Sequence, residues 1–322
     1  MRSWRRVSGI FAAALLTVAV AQAPASAAEY PNPGLVTGDI AVHDPAMVKA
    51  ADGTYFLFST GNGIDIRTSP DRTAFRRAGA VFPNGASWAH PFTGGSDNLW
   101  APDVSFHNGR YYLYYSASTF GSRNSAIFLA TSTTAQPGSW TNHGVVVQTN
   151  NSSDHNAIDP NLVVDAAGAW WLTYGSFWSG IKMVRIDAAT GKPANSTRYS
   201  LAQRPSSADG AVEAPFIVHR SGYYYLFVSF DHCCRGTSST YRVMVGRSTS
   251  ITGPYTDRNG ARMTSGGGTE VLATHGNIRG PGHPALMPDT DGWLMAYHYY
   301  TSSGSRLGVN LVSWSGGWPT LY

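Results

Sequence analysis

The chain has 322 residues and a formal net charge of +4, with 43% hydrophobic and only 13% charged residues. Charged residues are well below the roughly 25% usual for globular domains, and Gly (35), Tyr (17) and Trp (10) fill their place. Arg2, Arg5 and Arg6 supply three of the 23 basic residues from the extreme N-terminus, so the rest of the chain is almost neutral and has no Lys/Arg cluster suited to a nucleic-acid backbone.

Residues 1–27 read as a secretory signal peptide. Arg2, Arg5 and Arg6 form a positive n-region, Ile10 to Val20 is an almost wholly apolar stretch, and Ala25-Ser26-Ala27 is a small-x-small cleavage site. The apolar stretch is too short to span a bilayer. A secreted, extracellular protein of residues 28–322 is expected, with neither a membrane nor nucleic acid as partner.

Five similar segments come next, in order. They are His43-Asp44-Pro45-Ala46-Met47-Val48, Ala101-Pro102-Asp103-Val104, Ile158-Asp159-Pro160-Asn161-Leu162-Val163, Val212-Glu213-Ala214-Pro215-Phe216-Ile217, and Gly282-His283-Pro284-Ala285-Leu286-Met287. Each precedes a turn containing glycine and then an aromatic-rich strand, as in Asn108-Gly109 before Arg110-Tyr111-Tyr112-Leu113-Tyr114-Tyr115. With Asp44, Asp103, Asp159, Glu213 and His283 as markers, the spacings are 59, 56, 54 and 70 residues. That is room for four strands and their turns, the size of a propeller blade. Helical periodicity is nearly absent after residue 27. The predicted fold is all-β, a single five-bladed β-propeller.

Proline lacks the N–H a central strand needs and is confined to edges and strand starts. The marker segments therefore belong on the innermost strands, whose free edge faces the channel. This gathers Asp44, Asp159, Glu213 and His283 around one axis. Buried like charges repel and are poorly solvated, so such a cluster points to function rather than turn capping. Two carboxyls in unlike environments are the requirement for glycoside hydrolysis, and a third can hold the proton on a neighbour. The aromatic surplus suits sugar rings.

Cys233 and Cys234 are the only cysteines and are adjacent. Neighbouring Cα atoms lie closer than the usual disulfide range, and both two free thiols and a vicinal disulfide remain open. No second Cys pair exists to support a zinc site.

The chain resembles glycoside hydrolase family 43, and within it the endo-α-1,5-L-arabinanases. The residues that carry this are Val42-His43-Asp44-Pro45, Leu99-Trp100-Ala101-Pro102-Asp103-Val104, Asn156-Ala157-Ile158-Asp159-Pro160-Asn161, Tyr174-Gly175-Ser176-Phe177-Trp178-Ser179-Gly180-Ile181, Val212-Glu213-Ala214-Pro215, Cys233-Cys234-Arg235-Gly236 and Gly280-Pro281-Gly282-His283. Each is weak alone; their order and spacing cover nearly the whole chain. The resemblance implies inverting, single-displacement cleavage of α-1,5-L-arabinofuranosidic linkages in arabinan or arabino-oligosaccharides. It implies Asp44 as general base, Glu213 as general acid, and Asp159 as the residue that orients Glu213 and raises its pKa. It further implies a calcium ion, held mostly through water, near His283. Pro284 departs from the polar residue often found after that histidine, which bears on the ion's outer shell.

Softer signals name Trp100 and Phe120 as sugar contacts from their polar loops, and Asn156 and Ser176 as polar substrate contacts by the same resemblance. Asp103, His43 and His275 read as structural. A monomer is expected. The rival activities are a β-xylosidase or α-L-arabinofuranosidase of the same family, against which the Tyr174–Ile181 and Cys233–Gly236 segments argue, and a non-catalytic sugar-binding propeller, against which the three acids argue.

Overall fold

A computed structural model describes Met1 and residues 30–322. The expected signal peptide lies outside the described residues. Its strands form five sheets in a ring, each built from four successive antiparallel strands. The innermost strands are Ala46–Lys49, Asn98–His107, Asn161–Val164, Val212–Arg220 and Arg279–Asp289. The five-bladed propeller expected from the repeat is thus the fold. Two sheets gain a short extra strand. Thr37–Gly38 pairs in parallel with the outer strand of blade one, and Gly61–Asn62 pairs with the inner strand of blade two.

The hairpin turns follow from local chemistry. His107 pairs with Arg110 and Arg220 with Tyr223, which leaves two-residue loops at Asn108-Gly109 and Ser221-Gly222. All four loop residues have positive φ. This is the primed turn whose twist matches that of the strands, and it accounts for asparagine and glycine there.

The paired aromatics have a simple cause. A blade is covered on both faces, and neighbouring side chains on a strand point to opposite faces. In blade two, Tyr115 packs toward blade one with Phe56 and Phe58, while Tyr114 packs toward blade three with Leu172 and Tyr174. Trp170 and Trp171 divide in the same way between blades two and four, as do Tyr224 and Tyr225 between blades three and five. A fifth apolar cluster joins blades five and one through Met47, Leu57, Leu294 and Leu307.

Blades five and one also close the ring by polar contacts. Gly34 N–H donates to the Val309 carbonyl (2.8 Å), and Leu307 N–H to the Ile40 carbonyl (2.9 Å). The Asp289 side chain, from blade five, accepts from Lys49 (2.8 Å), Tyr55 (2.6 Å) and Arg72 (2.7 Å), all in blade one. These partners outweigh burial and hold its carboxyl below the usual range.

The inner strands share one irregularity. The residue before each marker proline, namely Asp44, Ala101, Asp159, Ala214 and His283, has a φ between 46° and 56°. None is glycine, so each carries local strain, of order 1–3 kcal/mol. In blades two, four and five the same place is a bulge, between Trp100 and Asp103, Glu213 and Phe216, and Gly282 and Ala285. The true repeat position is therefore the residue preceding proline. The sequence markers Asp103 and Glu213 are displaced from it by two residues and one.

Candidate active site

The strained position is held by one recurring hydrogen bond. Ala101 N–H donates to Thr60 Oγ1 (2.9 Å), Asp159 N–H to Ser116 Oγ (3.0 Å), His283 N–H to Ser229 Oγ (2.8 Å), and Asp44 N–H to His298 Nδ1 (3.1 Å). Each acceptor comes from the blade before, on its second strand or, for Thr60, just past it. Between blades three and four the acceptor is instead Asp159 Oδ2, which receives the Ala214 N–H (3.1 Å). This break in the pattern pins the Asp159 carboxylate beside Glu213.

Asp44, Asp159, Glu213 and His283 all line one cavity of about 1360 Å³ at the end of the channel. Asp44 is surrounded by polar side chains. Thr60 donates to Oδ2 (2.5 Å), and Oδ1 lies 2.9 Å from His43 Nδ1, 3.2 Å from His283 Nδ1 and 3.5 Å from His298 Nδ1. Burial alone would raise its pKa, but the histidines, His43 first, hold the carboxyl well below the usual range. His43, in turn, is raised despite its burial because Asp44 faces it. Its Nε2 meets the Tyr300 hydroxyl (2.7 Å), and His43, read as structural from the sequence, lines the cavity beside Asp44.

Glu213 is opposite in character. Burial, then the charge of Asp44, pushes it up to about 8, partly offset by a hydrogen bond from Ser176. Asp159 is raised by burial, then by Glu213 and Asp44. The two carboxyls therefore resist losing both protons near neutrality.

Asp103 does not line the cavity. It accepts from Asn161 Nδ2 (3.0 Å) and Leu162 N–H (2.8 Å), and Asn161 Oδ1 accepts the Ile217 N–H (2.9 Å). It ties the inner strands of blades two, three and four together, which is the structural role expected; burial pushes it up to about 6.

Trp100, Phe120, Asn156 and Ser176 line the same cavity as the acids. Phe120 is 82% exposed on its loop, and Trp100 Nε1 is held by Asn98 Oδ1 (2.9 Å). Asn156 and Ser176 are buried and belong to a chain of polar groups. Ser118 and Ser125 hydroxyls meet at 2.7 Å, Ser125 donates to Asn156 Oδ1 (2.6 Å), and Asn156 Nδ2 reaches Ser176 Oγ (3.5 Å).

Several residues at the site are not among the contacts expected from the sequence. Tyr241 donates a hydrogen bond to Glu213, and Trp178, at φ 43°, is turned onto the rim of the cavity. His298 lies under Asp44, its ring stacked on His43 with centroids 3.9 Å apart. Alternation along its strand could have found it, because His298 shares a face with Leu294 and Ala296, which pack toward blade one. Cys233 and Cys234 are joined as a vicinal disulfide, with Cα atoms 3.8 Å apart, and both line the cavity. His275 Nδ1 donates to the Ala273 carbonyl (2.8 Å), and His275 does not line the cavity.

The profile of glycosyl hydrolases family 43 matches residues 32–319. The chain belongs to that family. As a family 43 glycosidase it is similar to an extracellular endo-α-(1→5)-L-arabinanase of Bacillus subtilis, at 40% identity across 99% of this chain and 98% of that protein. Among solved structures it is similar to an exo-1,5-α-L-arabinanase from a bovine ruminal metagenomic library, with TM-score 0.84 and 40% identity over 89% of this chain and 99% of that one. It is also similar to a Cellvibrio cellulosa α-L-arabinanase complexed with arabinohexaose, with TM-score 0.83 and 35% identity over 88% and 96% of the two chains.

The donor set bears on the expected calcium. Among the described residues, the His/Cys/Asp/Glu groups close enough to grip an ion are His43 with Cys233 and Cys234, and His43 with Asp44 and His298. Neither contains His283, and the sulfurs are bonded to each other. His283 Nδ1 is engaged by Asp44, which leaves Nε2. One imidazole nitrogen is a poor grip on a cation that prefers six to eight oxygens. These residues fit an ion only if most of its ligands are water.

Proposed function

We propose that the protein is a secreted endo-1,5-α-L-arabinanase that hydrolyses arabinan with inversion. The observation that carries this is the division of charge among the cavity carboxyls in a family 43 fold. Asp44 is held ionised by His43, His283 and Thr60, while Glu213 is held protonated near neutrality. That is the pairing an inverting hydrolase requires. An ionised base takes a proton from water, and a neutral acid gives one to the departing glycosidic oxygen.

In this reading Asp44 activates the water that attacks the anomeric carbon, and Glu213 protonates the leaving group. Asp159 shares a proton-rich pocket with Glu213. It accepts the Ala214 N–H and faces His43, both of which favour its ionised form. Burial, Glu213 and Asp44 raise its pKa more than these two lower it, so the pair keeps one proton, and in this reading that proton is on Glu213 when the leaving oxygen departs. Trp100 and Phe120 offer aromatic faces to furanose rings, and Asn156 and Ser176 offer polar contacts at the reacting unit.

Endo action and secretion rest on softer support. The cavity exceeds the roughly 300–1,000 Å³ of a small-ligand pocket, which suits several linked sugars. Similarity is shared between endo- and exo-acting arabinanases, so it does not separate them. Among the described residues no helix is long and apolar enough to cross a membrane, and residues 1–27 carry the sequence features of an export signal. The products of brief digestion of linear α-1,5-arabinan decide the matter. A spread of arabino-oligosaccharides is expected. Release of a single short product supports the exo alternative, and cleavage of xylosides without arabinan refutes the proposal.

A calcium ion near His283, bound mainly through water, completes the proposal. It would supply positive charge to the channel and rigidify it. Chelation followed by dialysis should lower both Tm and activity, with calcium restoring them, and His283→Ala should blunt that response. If purified protein holds no ion and chelation changes neither property, the ion is absent.

A further inference from the structure

Tyr241 stands between the two halves of the site and has no part in the proton transfers assigned to Asp44 and Glu213. Its side chain is 2% exposed, and its hydroxyl donates to Oε1 of Glu213. Among the described residues Oε1 is the only hydrogen-bond partner of that hydroxyl. The phenolic proton therefore has one place to go. The ring is fixed from two sides. A Cβ at Gly282 would come within 2.0 Å of Tyr241 Cδ2, so only glycine at 282 leaves room for it. On another side the ring stacks on His298, centroids 5.9 Å apart and planes 23° from parallel, and His298 Nδ1 accepts the Asp44 N–H.

We infer that Tyr241 is a positioning residue for the acid: by occupying Oε1 of Glu213 as a donor, it confines the transferable proton to Oε2. A carboxylic acid with two equivalent oxygens can present its proton in either direction. Filling one oxygen with a rigid donor removes the wrong choice and fixes the carboxyl plane. Ser176, the other side-chain partner of Glu213, has a hydroxyl that donates or accepts, and it suits Glu213 before and after proton transfer. The inference rests on the acid role proposed for Glu213 and adds a residue to it.

The consequence has a defined sign. A phenol donates more strongly to a carboxylate than to a neutral acid, so Tyr241 favours the ionised form of Glu213 and tempers the upward push of burial. Asp44, Asp159, Tyr241 and Tyr300 are the titratable groups felt at Glu213, with His43, His283 and His298 behind Asp44. Tyr241→Phe keeps the ring, its contact with Gly282 and its stack on His298, and deletes only the donor.

The test compares the wild type with Tyr241→Phe in two ways. Carbon-13 NMR of labelled glutamate carboxyls, with the Glu213 signal assigned from Glu213→Gln, gives the titration of the acid without any substrate. The midpoint should rise by about one pH unit in Tyr241→Phe. On linear arabinan kcat should fall about 10-fold, and the alkaline limb of kcat/KM should move to higher pH. On an arabino-oligosaccharide with a dinitrophenyl leaving group, which departs with little help from an acid, the loss should be less than about 3-fold. An unchanged Glu213 midpoint overturns the inference, whatever the substrate proves to be. An equal rate loss on both substrates also overturns it, since that is the mark of a general structural defect. Failure of the wild type to cut arabinan refutes the proposed function and leaves the NMR comparison to decide Tyr241.

Discussion

Asp44→Asn and Glu213→Gln should each lower kcat on arabinan by at least about 10²-fold, the lower bound of what a positioned acid or base contributes. The two losses have different origins. Asp44→Asn removes the acceptor for the water proton. It also removes the charge that, after burial, contributes most to keeping Glu213 protonated. Its residual activity should therefore show an alkaline limb shifted to lower pH. Glu213→Gln keeps the shape of the acid and its bond from Tyr241, but has no proton to give. Substrate binding should survive in both, since neither change alters Trp100 or Phe120 on the cavity wall. Calorimetric titration with an arabino-oligosaccharide separates binding from turnover. Near-wild-type kcat in either variant would remove that residue from the reaction.

Asp159→Asn should lower the rate and move the alkaline limb of kcat/KM to lower pH. The sign follows from charge. Asp159 and Glu213 repel one another when both are ionised, so the pair gives up its last proton less readily than either acid alone would. With a neutral amide at 159, Glu213 gives up its proton more readily, so the protonated acid is depleted at a lower pH. Tyr241→Phe shifts the same limb in the opposite direction, which makes the pair a mutual control. A slower Asp159→Asn enzyme with an unmoved limb would leave residue 159 with a purely geometric role, through its bond to the Ala214 N–H.

The fold was legible because blade number, strand period and turn chemistry agree along the chain. Asn108-Gly109 and Ser221-Gly222 announce tight hairpins, and tandem aromatics such as Tyr114-Tyr115 announce strands buried on both faces. The acids were legible because they sit beside prolines that mark channel-facing edges. Yet the acids were the wrong ruler. Pro45, Pro102, Pro160, Pro215 and Pro284 mark the repeat, and the strained residue before each is Ala101 in blade two and Ala214 in blade four. Glu213 reaches the cavity from one step earlier, on a bulge that alternation does not foresee. Tyr241 lay beyond reach for another reason. It precedes its strand at the end of a loop, and only the approach of Gly282 from blade five shows where its ring goes. Thr60, Ser116 and Ser229 look like ordinary strand residues. Their role as acceptors for strained backbone N–H groups exists only once neighbouring blades are in contact.

The most direct test of the central claim is the configuration of the first product. Proton NMR recorded during early hydrolysis of linear arabinan, faster than mutarotation, reports the new reducing end. If Asp44 directs water straight onto the anomeric carbon while Glu213 protonates the leaving oxygen, the α-linkage yields the β-anomer first, and the α-anomer grows only as the sugar equilibrates. An α-anomer formed first would mean a covalent intermediate and a nucleophilic carboxylate, and would contradict Asp44 as general base and Glu213 as general acid.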